Sequence, residues 1–276
     1  MLKKLEAVYR SYFPKRIPNY KKYIGALFQL KGLEIGGPSP AFDKKGYLPL
    51  YATIATLDGC NFGTETVWEG KLKEGINFRY GKHRGYQYIS DGSDMSMIRD
   101  NSYEFVLSCH SLEHFANPIK ALKEWSRILK AEGYMVLVVP HKDQTFDHRR
   151  PLTTLDHLIA DEKNNTQEDD DTHFEEVNTL HDIAKDWGID SSEALRARTA
   201  NNINNRCVHH HVFNTPLMVQ LSDYMGFQIL DVSHFNPFNI ILLLQKTENG
   251  QADNSAYLDP HHLIYQKSSF PSDKIW

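Results

Sequence analysis

Residues 104–140 read EFVLSCHSLEHFANPIKALKEWSRILKAEGYMVLVVP, and this stretch decides the fold. The run at 104–110 predicts a buried strand, and Tyr134–Pro140 is apolar throughout, as expected of a central parallel strand. Between them, Asn117 suits an N-cap and Pro118 suits the first helical position, so a helix is predicted from Pro118 to about Gly133. A strand, a helix and a second strand in this order are the repeating unit of an α/β sheet.

The same alternation continues on both sides of this unit. The predicted strands are, in order, Gly32–Gly37, Ala55–Asp58, Tyr86–Ser90, Glu104–His110, Tyr134–Pro140, Phe227–Ser233 and Ile240–Gln245. The last two are joined by a short connection and are therefore expected to pair antiparallel. The predicted fold class is α/β, a Rossmann-like, doubly wound, mostly parallel sheet with an antiparallel C-terminal strand and an inserted lid region.

The predicted organisation is one main domain over 30–248, preceded by a helical extension at 1–29. A polar segment at 141–206 interrupts the alternation, and we interpret it as an insertion of short helices and loops over the sheet edge. The tail at 249–276 is polar and expected to be only partly ordered.

The composition excludes several classes of protein. The chain has 276 residues, is 41% hydrophobic and 24% charged, and carries a net charge of −4, so nothing favours nucleic acid as a partner. Its apolar runs are shorter than the roughly 20 residues that a membrane span needs. Three scattered cysteines, Cys60, Cys109 and Cys207, indicate a reducing compartment. We therefore expect a cytoplasmic protein without a membrane span.

Two stretches resemble a known family. Leu33-Glu34-Ile35-Gly36-Gly37 resembles the first motif of the class I methyltransferases that depend on S-adenosylmethionine (SAM). Residues 105–133 are similar to the fourth strand and following helix of the small-molecule branch of that family. Residues 58–70, and 145–148 with the later triple histidine, resemble bacterial methyltransferases associated with surface-glycan biosynthesis.

The resemblance implies SAM as the cofactor, held by Glu34, Gly36, Gly37, Asp58, Asp91, Ser108 and His110. Glu34 would organise the turn and the amino end of the methionine moiety. Asp58 would accept hydrogen bonds from the ribose hydroxyls and Asp91 from the adenine amino group. Ser108 and His110 would close the pocket near the sulfonium. Both Asp-Gly pairs, at 58–59 and 91–92, also suit ordinary turns.

The glycine turn departs from the family pattern. Pro38 and Pro40 stand where further glycines are usual, so the first helix must be short or displaced. Proline has no N–H to offer a pyrophosphate, and the change therefore weakens a dinucleotide interpretation more than SAM binding.

The segment after the fifth predicted strand carries the candidate chemistry. Asp147 and His148 are the candidates for a general base, because histidine accepts protons near neutral pH. Arg149 and Arg150, with His141, are the candidates for binding a phosphate or carboxylate of the substrate. The alternative is a solvated, charged loop.

His209-His210-His211 is the second candidate site. In an extended chain His209 and His211 face one side, where they could supply a base or bind a metal. A metal would need a further ligand, such as Asp147, His148, Asp171 or His173. The alternative is a set of hydrogen-bonded structural histidines. Glu113 and His114 are interpreted as a capping pair at a helix start.

The functional hypothesis is a SAM-dependent methyltransferase (EC 2.1.1.-). It would methylate an oxygen of a small polar acceptor, bearing a sugar, nucleotide or phosphate, in bacterial glycan biosynthesis. Two alternatives stay open: a catalytically silent SAM-binding partner subunit, and a metal-dependent hydrolase or oxygenase using the histidines. A homodimer through the N-terminal extension is compatible with the sequence. Asn236-Pro237-Phe238 is interpreted as a turn, because the similar motif of DNA adenine methyltransferases would follow the fourth strand.

Overall fold

The computed structural model describes residues 15–248 and 251–275, so half of the predicted N-terminal extension lies outside the described residues. The strands among these residues are β1 Lys31–Ile35, β2 Thr56–Asn61, β3 Glu65–Thr66, β4 Gly70–Lys71, β5 Gly75–Tyr80, β6 His83–Ile89, β7 Tyr103–Cys109, β8 Leu129–Pro140, β9 Phe227–Phe235 and β10 Asn239–Lys246. Eight of these described strands form one mixed sheet in the order β5-β6-β2-β1-β7-β8-β10-β9, and β3 and β4 form a small separate hairpin.

Five neighbouring strands, from β6 through β2, β1 and β7 to β8, run parallel. β10 is antiparallel to both β8 and β9, and β5 is antiparallel to β6. This confirms the predicted fold class. The chain order reverses between β1 and β7, and ligands of open α/β sheets bind at the carboxyl ends of the strands beside such a switch point.

Helices cover both faces of the sheet, and a further group covers its carboxyl edge. They are α1 Tyr20–Leu27, α2 Pro118–Ile128, α3 Leu155–Lys163, α4 Phe174–Leu180, α5 Ser192–Ala200, α6 Asn202–Asn205, α7 Thr215–Tyr224, α8 Ser255–Leu258 and α9 Leu263–Gln266. α3 to α6 belong to the insertion. α4 and α5 contribute Val177 and Leu195 to a small core completed by Val208, whereas Leu158 of α3 joins the main core. Among the described residues, no helix is long and apolar enough to cross a bilayer.

Helix α2 begins where the sequence predicts. Asn117 accepts a hydrogen bond from the backbone N–H of Lys120 at 2.9 Å, and Pro118 is the first helical residue. Trp125 is fully buried, and its indole N–H donates to the carbonyl of Gly92 at 2.8 Å. The helix ends earlier than predicted, because Leu129 already pairs with Tyr103 as the start of β8.

Strand β2 is longer than predicted and does not end at Asp58. It continues to Asn61, and Gly59 lies inside it. A Cβ on Gly59 would come within 2.1 Å of the Phe78 ring, so this glycine permits close packing of the β5–β6 hairpin rather than a turn.

The C-terminal tail packs against the domain over 251–275, more completely than the sequence indicated. Phe270 is buried, and Asp273 is fully buried. Asp273 accepts hydrogen bonds from the backbone N–H of Thr215 at 2.9 Å and from its hydroxyl at 2.8 Å. The tail is therefore held at the start of α7 by a buried carboxylate that its polar composition did not reveal.

Candidate functional site

The turn after β1 is built around two glycines. Gly36 has φ +76°, and a Cβ there would lie 2.3 Å from the Ser111 hydroxyl. A Cβ on Gly37 would lie 2.2 Å from the Glu34 carboxyl carbon. Glu34 accepts hydrogen bonds from the Ser39 N–H at 2.9 Å and the Tyr51 hydroxyl at 2.7 Å. Glu34 thus braces the turn.

Burial dominates the electrostatics of this turn. It raises the pKa of Glu34 to about 8, although the hydrogen bonds from Tyr51 and Ser39 act in the opposite direction. As predicted, the first helix is short: only a 3₁₀ turn at Pro40–Phe42 follows, with Pro40 as its first residue and Pro38 ahead of it. The turn opens at the carboxyl edge of the sheet, where the resemblance places the cofactor.

Asp58 does not fit the ribose-binding role. Its carboxylate accepts hydrogen bonds from the backbone N–H of Tyr86 and from the hydroxyl of Tyr103, both at 2.8 Å. Tyr103 is the first residue of β7, so Asp58 points toward the opposite end of the sheet from the carboxyl ends. The residue that reaches the carboxyl end of β2 is Asn61, whose side-chain amide donates to the Gly37 carbonyl at 3.0 Å. Sequence reasoning missed Asn61 because the Asp-Gly pair at 58–59 suggested that β2 ends there.

Asp91 does lie at the carboxyl edge, directly after β6. One oxygen accepts hydrogen bonds from the N–H and the hydroxyl of Ser93, both at 2.8 Å. The other pairs with Arg206 at 2.9 Å, and the guanidinium of Arg206 lies 5.6 Å from the centre of the Phe62 ring. Asp91 therefore holds an insertion residue that sequence reasoning had not singled out.

At the end of β7, Ser108 is buried, and its hydroxyl has no hydrogen-bond partner among the described residues. His110 has φ +53° and contacts the Asn239 side chain through Nε2 at 2.8 Å. Burial alone would lower the pKa of His110, but the nearby carboxylate of Glu113 outweighs it and raises this pKa. The glycine turn, the unpartnered Ser108 hydroxyl and the polar groups at the strand ends are the groups that SAM would meet at this edge of the sheet.

Glu113 is not the helix cap that the sequence suggested. It lies in a 3₁₀ turn, Leu112–His114, and is fully buried. Neither carboxylate oxygen has a hydrogen-bond partner within the described part of the chain. The nearest nitrogens are His110 Nδ1 at 3.5 Å and His114 Nε2 at 3.9 Å. Burial would raise the pKa of Glu113, yet these imidazoles hold it below its usual value.

Asp147 and His209 form a buried pair beside Glu113. His209 Nδ1 lies 2.6 Å from a carboxylate oxygen of Asp147, and the His209 ring lies 4.7 Å from that of His114. Burial would raise the pKa of Asp147, but His209 and Arg150 lower it to about 2. The pKa of His114 falls to about 3, through burial and the nearby His209. The ionised Asp147 thus holds the His209 ring in place beside the neutral ring of His114.

The predicted Asp147–His148 pair is divided between two places. His148 turns toward the surface, where its Nε2 lies 2.8 Å from Asp182. Arg149 is half-exposed and also reaches Asp182, at 3.4 Å. A turn at 145–148 separates the two neighbours, because successive side chains there leave the backbone in different directions.

Arg150 and His141 do not fit the substrate-binding roles. Arg150 is buried and donates to Asp147 at 2.9 Å, to Glu176 at 2.6 Å and to the carbonyl of His209 at 2.8 Å. Its donors are thus committed to the fold. His141 is fully buried, 2.9 Å from Asp273 and stacked on Phe270. Both were chosen for their charge, and tertiary packing uses them as internal supports.

The triple histidine serves two clusters rather than one. His209 joins Glu113 and His114, whereas His211 joins His157 and His173. The backbone N–H of His210 donates to the Glu113 carbonyl at 2.8 Å, which fixes this segment to the end of β7. The expectation that His209 and His211 share one site is therefore wrong. Of the further ligands considered, Asp147 pairs with His209 and His173 lies beside His211.

Comparison with known proteins adds a family-level finding. Residues 71–137 match the family model described as a methyltransferase domain, which is less than half of the chain. No curated protein gives a match.

Solved structures similar to this chain include three described as SAM-dependent methyltransferases. The one from Mesorhizobium loti has 11% identity and a TM-score of 0.46, covering 83% of this chain and 96% of its own. The one from Listeria monocytogenes, described as putative, has 17% identity and a TM-score of 0.45, with 83% and 95% covered. The one from Methanosarcina mazei has 16% identity and a TM-score of 0.44, with 84% and 99% covered.

The family match includes β5, β6, β7, α2 and most of β8, and hence Asp91, Ser108 and His110. It confirms the methyltransferase prediction at the level of the class, with S-adenosylmethionine as the cofactor. The acceptor is a separate question, which depends on the residues around His209.

Proposed function

We propose that this protein transfers a methyl group from SAM to a hydroxyl of a small polar acceptor, and that His209 is the general base. The observation that carries the proposal is the buried pair of His209 and Asp147, 2.6 Å apart at the carboxyl edge of the sheet. Bound SAM supplies an electrophilic methyl group on sulfur. The residues around it must hold the acceptor oxygen and remove its proton.

The proton transfer follows from the geometry. Asp147 engages Nδ1 of His209, which leaves Nε2 with the lone pair that can accept a proton. As the new carbon–oxygen bond forms and the carbon–sulfur bond breaks, the hydroxyl proton moves to Nε2. Asp147, itself held by Arg150, then stabilises the imidazolium. Glu34, Gly36, Gly37, Asn61 and Asp91 are the residues that we assign to holding SAM.

Two exposed groups support a sugar- or phosphate-bearing acceptor, one in contact with His114 and one at the surface beside Asp182. Trp68 keeps 53% of its surface exposed while its ring packs 5.1 Å from that of His114, which leaves an aromatic face for a sugar ring. Arg149 has a side chain that is 54% exposed, so it can bind an anionic group without losing a buried contact. Glycan biosynthesis in the cytoplasm is the pathway class we assign.

The test uses two matched substitutions in the two histidine–carboxylate pairs. Purified protein is incubated with methyl-labelled SAM and a panel of sugars, sugar phosphates and nucleotide sugars. With an accepted substrate, we expect Asp147→Asn to lower kcat by about 100-fold or more, because a general base typically contributes that much. Asp182→Asn, which alters the surface pair with His148, should leave kcat within about twofold.

Folding and SAM binding of each variant are checked by circular dichroism and calorimetry, with His209→Gln as a second test of the same base. Full turnover in Asp147→Asn or His209→Gln would remove this base from the reaction. Loss of turnover in Asp182→Asn alone would instead favour His148 as the general base. SAM binding without consumption of SAM by any acceptor in the panel or in cell extract would favour the silent partner subunit.

A further inference from the structure

A second histidine cluster joins the insertion to the triple-histidine segment, apart from the methyl-transfer site. His157 is on α3, His173 precedes α4, and His211 lies between α6 and α7. Each offers one ligand atom, and these atoms all lie within 4.8 Å of one another. His157 Nε2 and His173 Nε2 are 3.2 Å apart. Three separate segments of the chain therefore direct imidazoles at one point.

Asp161 completes the cluster with a carboxylate. Its Oδ2 is 3.4 Å from His157 Nε2 and 3.8 Å from His211 Nε2. Bonds of about 2.0–2.1 Å to a tetrahedral metal place neighbouring ligand atoms about 3.3 Å apart, by simple geometry. The separations from His157 Nε2, 3.2 Å to His173 Nε2 and 3.4 Å to Asp161 Oδ2, are close to this value.

Two buried atoms of the cluster have no other role. Asp161 Oδ2 and His211 Nδ1 are buried without a hydrogen-bond partner among the described residues. The remaining atoms of the same groups do have partners. Asp161 Oδ1 accepts from the Thr166 hydroxyl at 3.3 Å, and His211 Nε2 lies 3.2 Å from the Ala116 carbonyl. Such outer contacts orient the ligands of known metal sites.

The plainer interpretation is a hydrogen-bonded group of histidines. An N–H···N bond accounts for the contact between His157 and His173, but it leaves the buried oxygen of Asp161 unpaired. Leaving a buried polar atom unsatisfied is costly. A shared cation accounts for both observations at once.

We propose that His157, His173, His211 and Asp161 form a tetrahedral site for a divalent first-row metal, zinc above all. Three imidazoles and one carboxylate are ligands that zinc accepts. All four positions are supplied by protein, which is the pattern of a structural rather than a catalytic zinc site. The metal would tie α3 and the start of α4 to the triple-histidine segment. The side chain of His157 is 43% exposed, which gives the ion a path from solvent.

The test measures metal binding by the full chain, purified without a histidine tag and stripped with a chelator. Zinc titration should give one tight site, and cobalt(II) should give the intense visible absorption of a tetrahedral complex. Zinc should also raise the thermal unfolding temperature. His173→Ala and Asp161→Asn should each weaken zinc binding by more than about tenfold, since even outer-shell changes cost about 10- to 100-fold. His261→Ala, at an exposed histidine elsewhere, is the matched control.

Several outcomes would overturn the site. These are folded apoprotein that binds no zinc tightly, variants that bind it like the control, or a six-coordinate cobalt spectrum. Loss of zinc in His209→Gln with retention in His173→Ala would assign the metal to the other cluster and also refute it. SAM binding is followed in the same samples, so failure of the metal site and failure of the proposed methyl transfer remain distinguishable.

Discussion

Replacing Gly36 by Ala should destabilise the protein by an amount that the turn itself predicts. At φ +76° an L-residue costs about 1–2 kcal/mol. The new Cβ would also lie 2.3 Å from the Ser111 hydroxyl, which must then rotate away from the Ile35 carbonyl that it contacts at 3.1 Å. Losing that hydrogen bond costs about 1 kcal/mol. We therefore expect the free energy of unfolding to fall by about 2–3 kcal/mol.

Urea unfolding followed by circular dichroism measures this change, and calorimetry with SAM measures its effect on the cofactor. The displaced turn should weaken SAM binding by about tenfold, the equivalent of one hydrogen bond. Gly25→Ala is the control, because it lies in α1 with nothing within 4 Å of the added Cβ. The free energy of unfolding of Gly25→Ala should rise by about 0.5–1 kcal/mol. A Gly36→Ala protein as stable as the wild type would refute the reasoning from φ and contact.

Three further predictions concern the buried carboxylates and the exposed tryptophan. The pKa of Glu34 is raised to about 8 in the folded protein, so between pH 6 and pH 8 the folded state largely keeps a proton that the unfolded state has already released. The free energy of unfolding of the wild type should therefore fall by about 2 kcal/mol over this range and level off above pH 8. Glu34→Gln should remove this loss, and parallel urea–pH profiles of the two proteins would contradict it. Asp273→Ala should lower the free energy of unfolding by about 3 kcal/mol or more, because it removes the hydrogen-bond acceptor of Thr215 at the start of α7. In the same urea assay, replacing the exposed Asp259 by Ala should change that free energy by no more than about 0.5 kcal/mol. Trp68→Ala should raise the KM for the acceptor several-fold with kcat retained, while the fully exposed Trp187→Ala should leave both unchanged; equal kinetics would exclude Trp68 from acceptor binding.

The fold was predictable where its signals are local. An N-cap, a proline and two apolar runs fixed β7, α2 and β8, since each of these preferences acts within a few residues. The end of β2 was not predictable in this way. Gly59 looks like a turn residue, but its lack of a side chain serves the ring of Phe78, which approaches from another hairpin. A contact between distant segments leaves no periodic trace in the sequence.

The candidate site shows the same division. The glycine turn and Asp91 were found because strand ends predict where they lie. The burial of Glu113 is not visible in the sequence, and the pairing of Asp147 with His209 is suggested there only for a metal, because a sequence separation of 62 is closed only by tertiary packing. Residue type alone also overvalued Arg150 and His141, whose charges are used inside the protein. Burial and hydrogen-bond partners, rather than residue type, decide which polar groups are free to bind a substrate or act in catalysis.

The short distance between His209 and His211 has a mechanical consequence. Two residues of chain span at most about 7 Å, so the backbones that carry the two imidazoles are joined by a short tether. The Glu113 carbonyl holds this tether at its midpoint through the N–H of His210. A rearrangement of the insertion around His211 would therefore act on the chain within two residues of His209. The alignment of an acceptor oxygen would then report on the state of helices that never touch it.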